Sequence, residues 1–460
     1  MTSFADLGLP QAIVRELARQ GITAPFPIQE AAIPDALAGR DVLGRGPTGS
    51  GKTFTFGLPI LARLAGTGAS KTGRPRGLVL APTRELAAQI RERLDSAAAP
   101  LGLRLLDVVG GVNIKRHITA LARPVDLLIA TPGRAQDLIN QGYLDLSDVQ
   151  ITALDEADHM ADMGFLPQVR KLLDLTPARS QRLLFSATLD RDVDKLVRAY
   201  LHDPVTHSTA PVAATVETME HYLLLVGDRP ERNDVVRLIA GREGKTIMFM
   251  RTKHGVDRQV KKLRRVGIHA AGLHGDKGQG ARTRAIEAFT DGSLPVLVAT
   301  DIAARGIDIG GVSLVVHVDP PAEHKAYLHR AGRTARAGHG GRVVTCVMAD
   351  QIDEVRALCK KAGVRAEEVE VSATSPDLAK ITGAREVSGA PLPPFGQQPK
   401  AAKAEAGKAG ARTGEQRGNA RSRKRGPQRH RRSSSRTSTN QRRSSRSDAP
   451  RRKGHRTRRG

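Results

Sequence analysis

The chain has 460 residues, room for two or three domains, and a formal net charge of +26. From Lys400 onward lie 22 of its 73 Lys and Arg but only 3 of its 47 acids, which leaves the first 399 residues nearly balanced at +7. The excess is therefore a cationic C-terminal segment suited to a polyanion, attached to an ordinary globular body.

Composition excludes several classes. Two cysteines, Cys346 and Cys359, cannot build a disulfide framework or a Cys-rich zinc site. Cys346 sits in the apolar run 343–348 and reads as core packing. No run of 18 apolar residues suggests a membrane span, and the start lacks a signal-peptide pattern, so a soluble, cytosolic protein is expected. Aromatic residues are 3% with no Trp, so base stacking on aromatic platforms should not dominate any nucleic-acid binding.

Taken in chain order, the short run Asp41-Val42-Leu43 leads into Gly46-Pro47-Thr48-Gly49-Ser50-Gly51-Lys52-Thr53, followed by an expected helix over 54–64. This is G-x-x-x-x-G-K-[ST] in a strand–loop–helix context. Glycines let backbone N–H groups converge on phosphate oxygens, the helix N-terminus adds positive potential, Lys52 reaches the β/γ phosphates, and the Thr53 hydroxyl can ligate Mg²⁺. Buried-strand runs follow at 77–80, 125–129, 151–154 and 182–185. The third runs into Asp155-Glu156-Ala157-Asp158. A buried strand ending in carboxylates puts them at the carboxyl edge of a sheet, where open α/β folds bind ligands. By itself such a cluster is as well read as a solvated acidic turn. Beside a phosphate loop, Asp155 suits a Mg²⁺ contact and Glu156 the orientation and deprotonation of an attacking water.

The polar, Pro-containing stretch 206–215 reads as a boundary. It puts a first domain at 1–208, a linker at 209–218 and a second domain at 219–372. A second set of runs lies at 246–249, 296–299, 313–316 and 342–344. Apolar strands of four to six residues alternating with helices predict α/β architecture with parallel sheets buried on both faces. Residues 373–460, Pro-, Ala- and Gly-rich and then Arg/Ser-rich, bury too little to offset their ordering entropy and are expected to be a disordered basic tail.

These motifs, with others in order, resemble the DEAD-box ATP-dependent RNA helicases over roughly residues 4–350. The Asp-Glu-Ala-Asp sequence is that family's signature. Residues 21–29 look like its Q motif, with Phe4 placed 17 residues upstream where the family has an isolated aromatic. Pro82-Thr83-Arg84-Glu85-Leu86, Gly110-Gly111 and Thr131-Pro132-Gly133-Arg134 match RNA-contact motifs. Ser186-Ala187-Thr188 matches the motif coupling hydrolysis to unwinding. His274-Gly275-Asp276, Gln279 with Arg282, the stretch 299–308 and the stretch 329–338 complete the set. The layout is closest to bacterial RhlE-type enzymes.

The resemblance implies two tandem RecA-like domains with ATP and RNA bound across the cleft. By similarity, Gln29 reads the adenine edge, Phe4 packs on its ring, and Asp308 contacts the ribose. Arg333 and Arg336 resemble arginine fingers, and His329 and Arg330 are expected to make interdomain or γ-phosphate-linked polar contacts. Pro82, Thr83, Arg84, Gly110, Gly111, Thr131, Pro132, Gly133, Arg134, Gln279, Arg282 and Thr300 resemble contacts to the backbone of a single strand, a mode that positions RNA without reading bases. A monomer suffices for this mechanism, and ribosome assembly and RNA decay are both compatible settings. An ATP-gated RNA clamp with slow hydrolysis would carry the same motifs, and a DNA helicase is the third reading. The tail is expected to tether structured RNA nonspecifically. Two positions depart from the family pattern: Gly46 stands where Ala is commoner, and Phe26 stands where the Q motif usually has Thr, so a link from that motif to the phosphate loop through the hydroxyl is expected to be weakened.

Overall fold

The computed structural model describes residues 2–46, 50–208, 219–304, 311–335, 340–387 and 389–396. The first half builds seven strands: β1 (Val42–Arg45), β2 (Gly77–Leu80), β3 (Leu105–Val108), β4 (Leu127–Ala130), β5 (Ile151–Leu154), β6 (Gln181–Ser186) and β7 (Val205–Ser208). The second half builds seven more: β8 (Met219–Val226), β9 (Lys245–Phe249), β10 (Ala270–Leu273), β11 (Val296–Ala299), β12 (Val312–His317), β13 (Gly341–Met348) and β14 (Glu367–Glu370). Among the described residues, every pairing between these strands is parallel. The orders are 3-4-2-5-6-1-7 and 10-11-9-12-13-8-14, the same topology repeated with an offset of seven. The expected pair of α/β domains with parallel sheets is what the chain forms.

Each sheet is buried on both faces because its inner strands are apolar at odd and even positions alike. Leu127 and Ile129 of β4 pack into one layer, and Leu128 and Ala130 pack into the layer on the opposite face. In β11, Leu297 and Ala299 divide from Val296 and Val298 in the same way. This is the period of two expected of a pleated strand, here without a polar side. Both cysteines lie in these layers, and burial pushes their thiols up, to about 12 for Cys346 and about 11 for Cys359. Among the described residues no helix is long and apolar enough to cross a membrane.

Residues 206–208, the start of the polar stretch that reads as a boundary, form most of β7, pairing with β1 from Val42↔Val205 to Arg45↔Ser208. An edge strand has one partner, so its alternation of half-buried and exposed residues resembles a polar connector. The ordered chain also does not stop at 372. Pro376–Thr382 is a helix that buries Leu378 and Ile381, and residues 383–387 and 389–396 run as a strap over the second sheet's layers. Arg264 donates from Nε to the Pro393 carbonyl at 2.6 Å, and Arg385 donates to the Gly241 carbonyl at 2.6 Å. Two guanidinium-to-carbonyl bonds and a half-buried Phe395 hold a segment whose composition alone reads as unstructured. The linker 209–218 and residues 397–460 of the expected tail lie outside the described residues.

Candidate active site and nucleic-acid cleft

Apart from the Q motif, which precedes β1, the chemistry-bearing segments of the first half sit at the carboxyl ends of strands β1 to β6, where parallel connections bring helix N-termini to one edge. Gly51, at φ +93°, starts the helix Lys52–Ala65. A Cβ at Gly51 would meet the Gln29 amide at 2.6 Å, so glycine is required both for the turn and for the close approach. Lys52 and Thr53 are buried, and Lys52 donates from Nζ to the Gly46 carbonyl at 2.9 Å, across the mouth of the loop. The Gly46 N–H bonds the Ser186 carbonyl at 3.2 Å and ties the loop to β6. Ser50 Oγ is buried with no hydrogen-bond partner among the described residues. Pro47, Thr48 and Gly49 lie outside the described residues.

Gln29 is 1% exposed. Its Nε2 donates to the Gly51 carbonyl at 2.9 Å, and its Oε1 accepts from the Phe26 N–H at 2.9 Å. The tie between the Q motif and the phosphate loop, expected to weaken with Phe at position 26, is thus made by the Gln29 amide. Phe4 is buried among Leu7, Leu9 and Ile13, whereas Phe26 is 53% exposed beside Gly51.

β5 delivers the acidic pair. Asp155 and Glu156 are both buried, and Glu156 has a left-handed backbone at φ +50°, uncommon for a non-glycine residue and a strain typical of functional sites. Burial pushes the Asp155 carboxyl up to about 6; Glu156 and Asp158 add to this and Lys52 opposes it. Burial acts against the charge on Glu156 too. The His159 hydrogen bond (Nδ1 to Oε2, 3.2 Å) and the charges of His159, Lys52 and Arg333 outweigh it and hold Glu156 well below the usual carboxylate range. Two adjacent carboxylates are thereby driven apart, the pattern of groups with different tasks.

Asp158 links this turn to the next. Its Oδ2 accepts from the Thr188 N–H at 2.9 Å and hydroxyl at 3.0 Å, its own N–H donates to Ser186 Oγ, and Ser186 Oγ donates to the Thr188 carbonyl at 2.6 Å. Ser186, Thr188 and Asp158 are one interlocked unit. His329 of the second half approaches the same Asp158 oxygen at 3.9 Å.

The second half presents Arg333, 4% exposed, close enough for its charge to lower Glu156. Arg330 behaves differently, and the expectation for it is corrected. It is fully buried inside its own half, forked onto Asp301 with Nη2–Oδ2 at 2.8 Å, bonded to the Asp319 carbonyl at 2.8 Å, and stacked 5.2 Å from the Phe249 ring. Its fork is used up holding the helix His324–Ala331, which carries His329 and leads to Arg333. Asp308 and Arg336 lie outside the described residues.

A cleft of about 370 Å³ spans the two halves and is lined by Pro82, Thr83, Arg84, Gly110, Thr131, Gly133 and Arg134 from the first and Gly275 and Arg282 from the second. Thr83 caps the helix Arg84–Ala98 through the Leu86 N–H. Thr131 Oγ1 accepts from the Gly110 N–H, and Arg134 bonds His117 Nδ1 at 2.8 Å and the Val112 carbonyl at 2.9 Å. Gly111, at φ +70°, leaves the space the Arg84 guanidinium fills. Pro132 begins the helix Pro132–Asn140. Thr300 follows β11 and anchors the turn into Asp301–Ala304.

The residue the sequence motifs left without a role is Glu85. Its carboxylate accepts from Arg282 Nε at 2.6 Å and from Gln279 Nε2 at 3.1 Å, and Arg84 donates to Gln279 Oε1 at 3.2 Å. Arg282 and Gln279, matched to strand contacts, spend these atoms on a bridge between the halves. Burial opposes the Glu85 charge, but Arg282 outweighs it and keeps the carboxyl below its ordinary range. A second bridge joins Lys325 Nζ to Asp190 Oδ2 at 3.0 Å. Neither pair is visible as a spacing, since the partners are 197 and 135 residues apart.

Against known proteins, residues 26–196 match the DEAD/DEAH box helicase family and residues 231–338 match the helicase conserved C-terminal domain. The chain belongs to the DEAD-box helicases. It is 38% identical over 77% of its length to the DEAD-box ATP-dependent RNA helicase CshA of Geobacillus kaustophilus, covering 75% of that protein. It is 37% identical to the CshA helicase of Listeria monocytogenes, covering 68% of that protein. The S. cerevisiae Dbp5 structure bound to RNA and ADP BeF3 superposes with a TM-score of 0.74 at 27% identity, covering 83% of this chain and all of that one. As a DEAD-box protein the chain is an ATP-dependent RNA helicase and an ATPase. These relatives support the family and point to CshA enzymes, without singling out the RhlE-type group.

Proposed function

We propose that closing the two halves on ATP and a single RNA strand assembles the hydrolytic site, and that the bent strand no longer fits a duplex, so pairing is lost locally and without sequence preference. The observation that carries this reading is the convergence on Glu156 of groups from both halves: Lys52 and His159 from the first and Arg333 from the second all act on its charge. Glu156 stays ionised and takes the proton of the attacking water. Gly46, Thr48, Gly49, Ser50 and Gly51 cradle the phosphates, Lys52 neutralises the β/γ oxygens, and Arg333 with Arg336 stabilises charge on the transferring phosphoryl group. Gln29 and Asp308 face the nucleoside, and Phe26 offers the exposed ring that Phe4, buried in the core, does not.

Thr53 and Asp155 fit a Mg²⁺ ion. Burial raises the Asp155 carboxylate toward neutrality in spite of Lys52 and the Glu156 N–H, a deficit that a divalent cation would correct. Bound there, the ion would neutralise phosphate charge. Arg84, Thr131, Gly133, Arg134 and Thr300, with the Pro82-Thr83, Gly110-Gly111 and Pro132 turns that place them, hold sugar and phosphate. Gln279 and Arg282 act on the strand while bridging the halves. Ser186 and Thr188, locked to Asp158, pass closure to the catalytic turn. The basic segment from Lys400 onward tethers structured RNA, and the compact core followed by that segment supports the RhlE-type layout. The test is ATP turnover with no nucleic acid, with single-stranded RNA and with the matching DNA, for the wild type and Glu156→Gln. Stimulation by RNA alone, lost in the variant, is expected. Equal stimulation by DNA would overturn RNA selectivity, and ATP-dependent RNA retention without stimulated turnover would mark a clamp.

A further inference from the structure

A second groove, of about 520 Å³, lies on the outer flank of the second sheet. Helix Lys253–Arg265, the β10 edge at Gly272 and the start of helix Gln279–Thr290 form three sides; Leu392, Pro394 and Phe395 of the strap close the fourth. The strap is fixed there by Arg264, whose Nε bonds the Pro393 carbonyl while its Nη1 bonds the Ala270 carbonyl at 3.1 Å. The inner wall is apolar, with Val260, Leu392 and Phe395 half-buried. The rim is cationic. Lys261, Arg264, Arg265 and Lys277 face a single acid, Asp257, which Lys277 already pairs at 2.7 Å. Lys261 and Arg265 are exposed and have no hydrogen-bond or ion-pair partner among the described residues.

This charge repels the chain's own continuation, residues 397–460, which has the same sign. It favours a phosphodiester. The groove also neighbours the interdomain cleft along the chain: Lys277 is two residues from Gly275 and Ala281 adjoins Arg282, both of which line that cleft. We propose that this groove is an accessory site for single-stranded RNA: it takes nucleotides running on from the cleft, phosphates against Lys261 and Arg265, a base against Phe395 and Val260. The combination of free cations with an apolar wall is what an unpaired strand requires, and a groove closed on its fourth side by a strap takes a splayed strand and not a duplex. The proposal rests on reading the interdomain cleft as the core RNA site.

The test uses the full chain with a non-hydrolysable ATP analogue and fluorescent oligouridylates of six and fourteen nucleotides. Wild type is compared with Lys261→Glu/Arg265→Glu and with Phe395→Leu, which keeps an apolar group against the core. The hexamer, chosen to be short enough to stay in the cleft, should bind all three proteins within twofold, which also reports that they fold. The 14-mer should bind the charge variant at least tenfold more weakly and Phe395→Leu about threefold more weakly. Loss of two phosphate contacts should flatten the salt slope of the 14-mer by about 1.4. An unchanged 14-mer affinity and salt slope in the charge variant overturns the groove. Wild type that binds the 14-mer but not the hexamer overturns the cleft reading instead.

Discussion

Removing the Glu85 carboxylate should open the two halves. The pair it forms with Arg282 joins helix Arg84–Ala98 to helix Gln279–Thr290 at 2.6 Å, with side-chain exposures of 7% and 10%. At that burial the loss is not the modest value of a surface ion pair. Glu85→Ala strands a buried guanidinium whose remaining bond is to the His274 carbonyl at 3.2 Å. Breaking one side of a buried pair costs about 3–5 kcal/mol, or roughly 10²- to 5 × 10³-fold in the closure equilibrium. Glu85→Gln keeps an acceptor and loses only the charge, and should cost about 1–2 kcal/mol. Both native cysteines are buried, so cysteines introduced at the exposed positions Ala122 and Glu354 label selectively, one on each half, for energy transfer. In saturating RNA and a non-hydrolysable ATP analogue, the high-transfer population should fall steeply for Glu85→Ala and partly recover in Glu85→Ala/Arg282→Met, where neither charge remains. A Glu85→Ala protein that closes within threefold of wild type, with its thermal unfolding also unchanged, would refute the reasoning.

Three further outcomes follow from single contacts. Phe26→Ala should raise KM for ATP about fivefold, an energy of roughly 1 kcal/mol at the low end of base–aromatic stacking, with kcat unchanged; an unaltered KM in a steady-state titration would remove Phe26 from the base site. Lys325→Ala and Asp190→Asn should each lower RNA-stimulated turnover, with a coupling of about 0.5–1 kcal/mol in a double-mutant cycle, as befits a half-exposed pair; additive effects would mean the bridge does not contribute to closure. His317 is fully buried, and burial, with the charge of Arg330 and His221 adding, holds its pKa well below the ordinary value. Its native form is therefore neutral, the unfolded chain takes up the extra proton, and its contribution is intact above pH about 6.5 and lost as pH falls below it, at up to roughly 1.4 kcal/mol per pH unit. Denaturant unfolding from pH 7 to 5 should show that slope and His317→Gln should flatten it; equal slopes would place the acid sensitivity elsewhere.

What could be read from the sequence followed burial. Strands flanked on both sides, such as Ile151–Leu154 and Val296–Ala299, are continuous apolar runs and stand out. Leu105–Val108 contains an Asp and Val205–Ser208 is mostly polar, because each is an edge with one neighbour, and both escape the pattern. The strap escapes for a different reason: Arg264 and Arg385 hold its backbone, and their bonds are tertiary. The phosphate loop and the acidic turn were legible because their chemistry needs residues close in sequence. Glu85, Asp190 and Lys325 were not, since their partners come from the other half of the chain. Arg330 shows the reverse error: a motif arginine that reads as outward-facing is consumed by Asp301 within its own half.

The repeated strand order bears on stoichiometry. The turn after β1 that carries the phosphate loop has its counterpart after β8, at Gly227-Asp228-Arg229. There Asp228 caps a helix by accepting from the Glu231 N–H, and no lysine or hydroxyl follows to grip a phosphate. The two lobes share an architecture, but only one has kept the nucleotide-holding turn; the other contributes Arg333 from a different connection. One chain should therefore bind one ATP and spend it in one closure. An equilibrium-dialysis count of two nucleotides per chain would mean that the duplicated lobe has kept more of its twin's chemistry than its turn reveals.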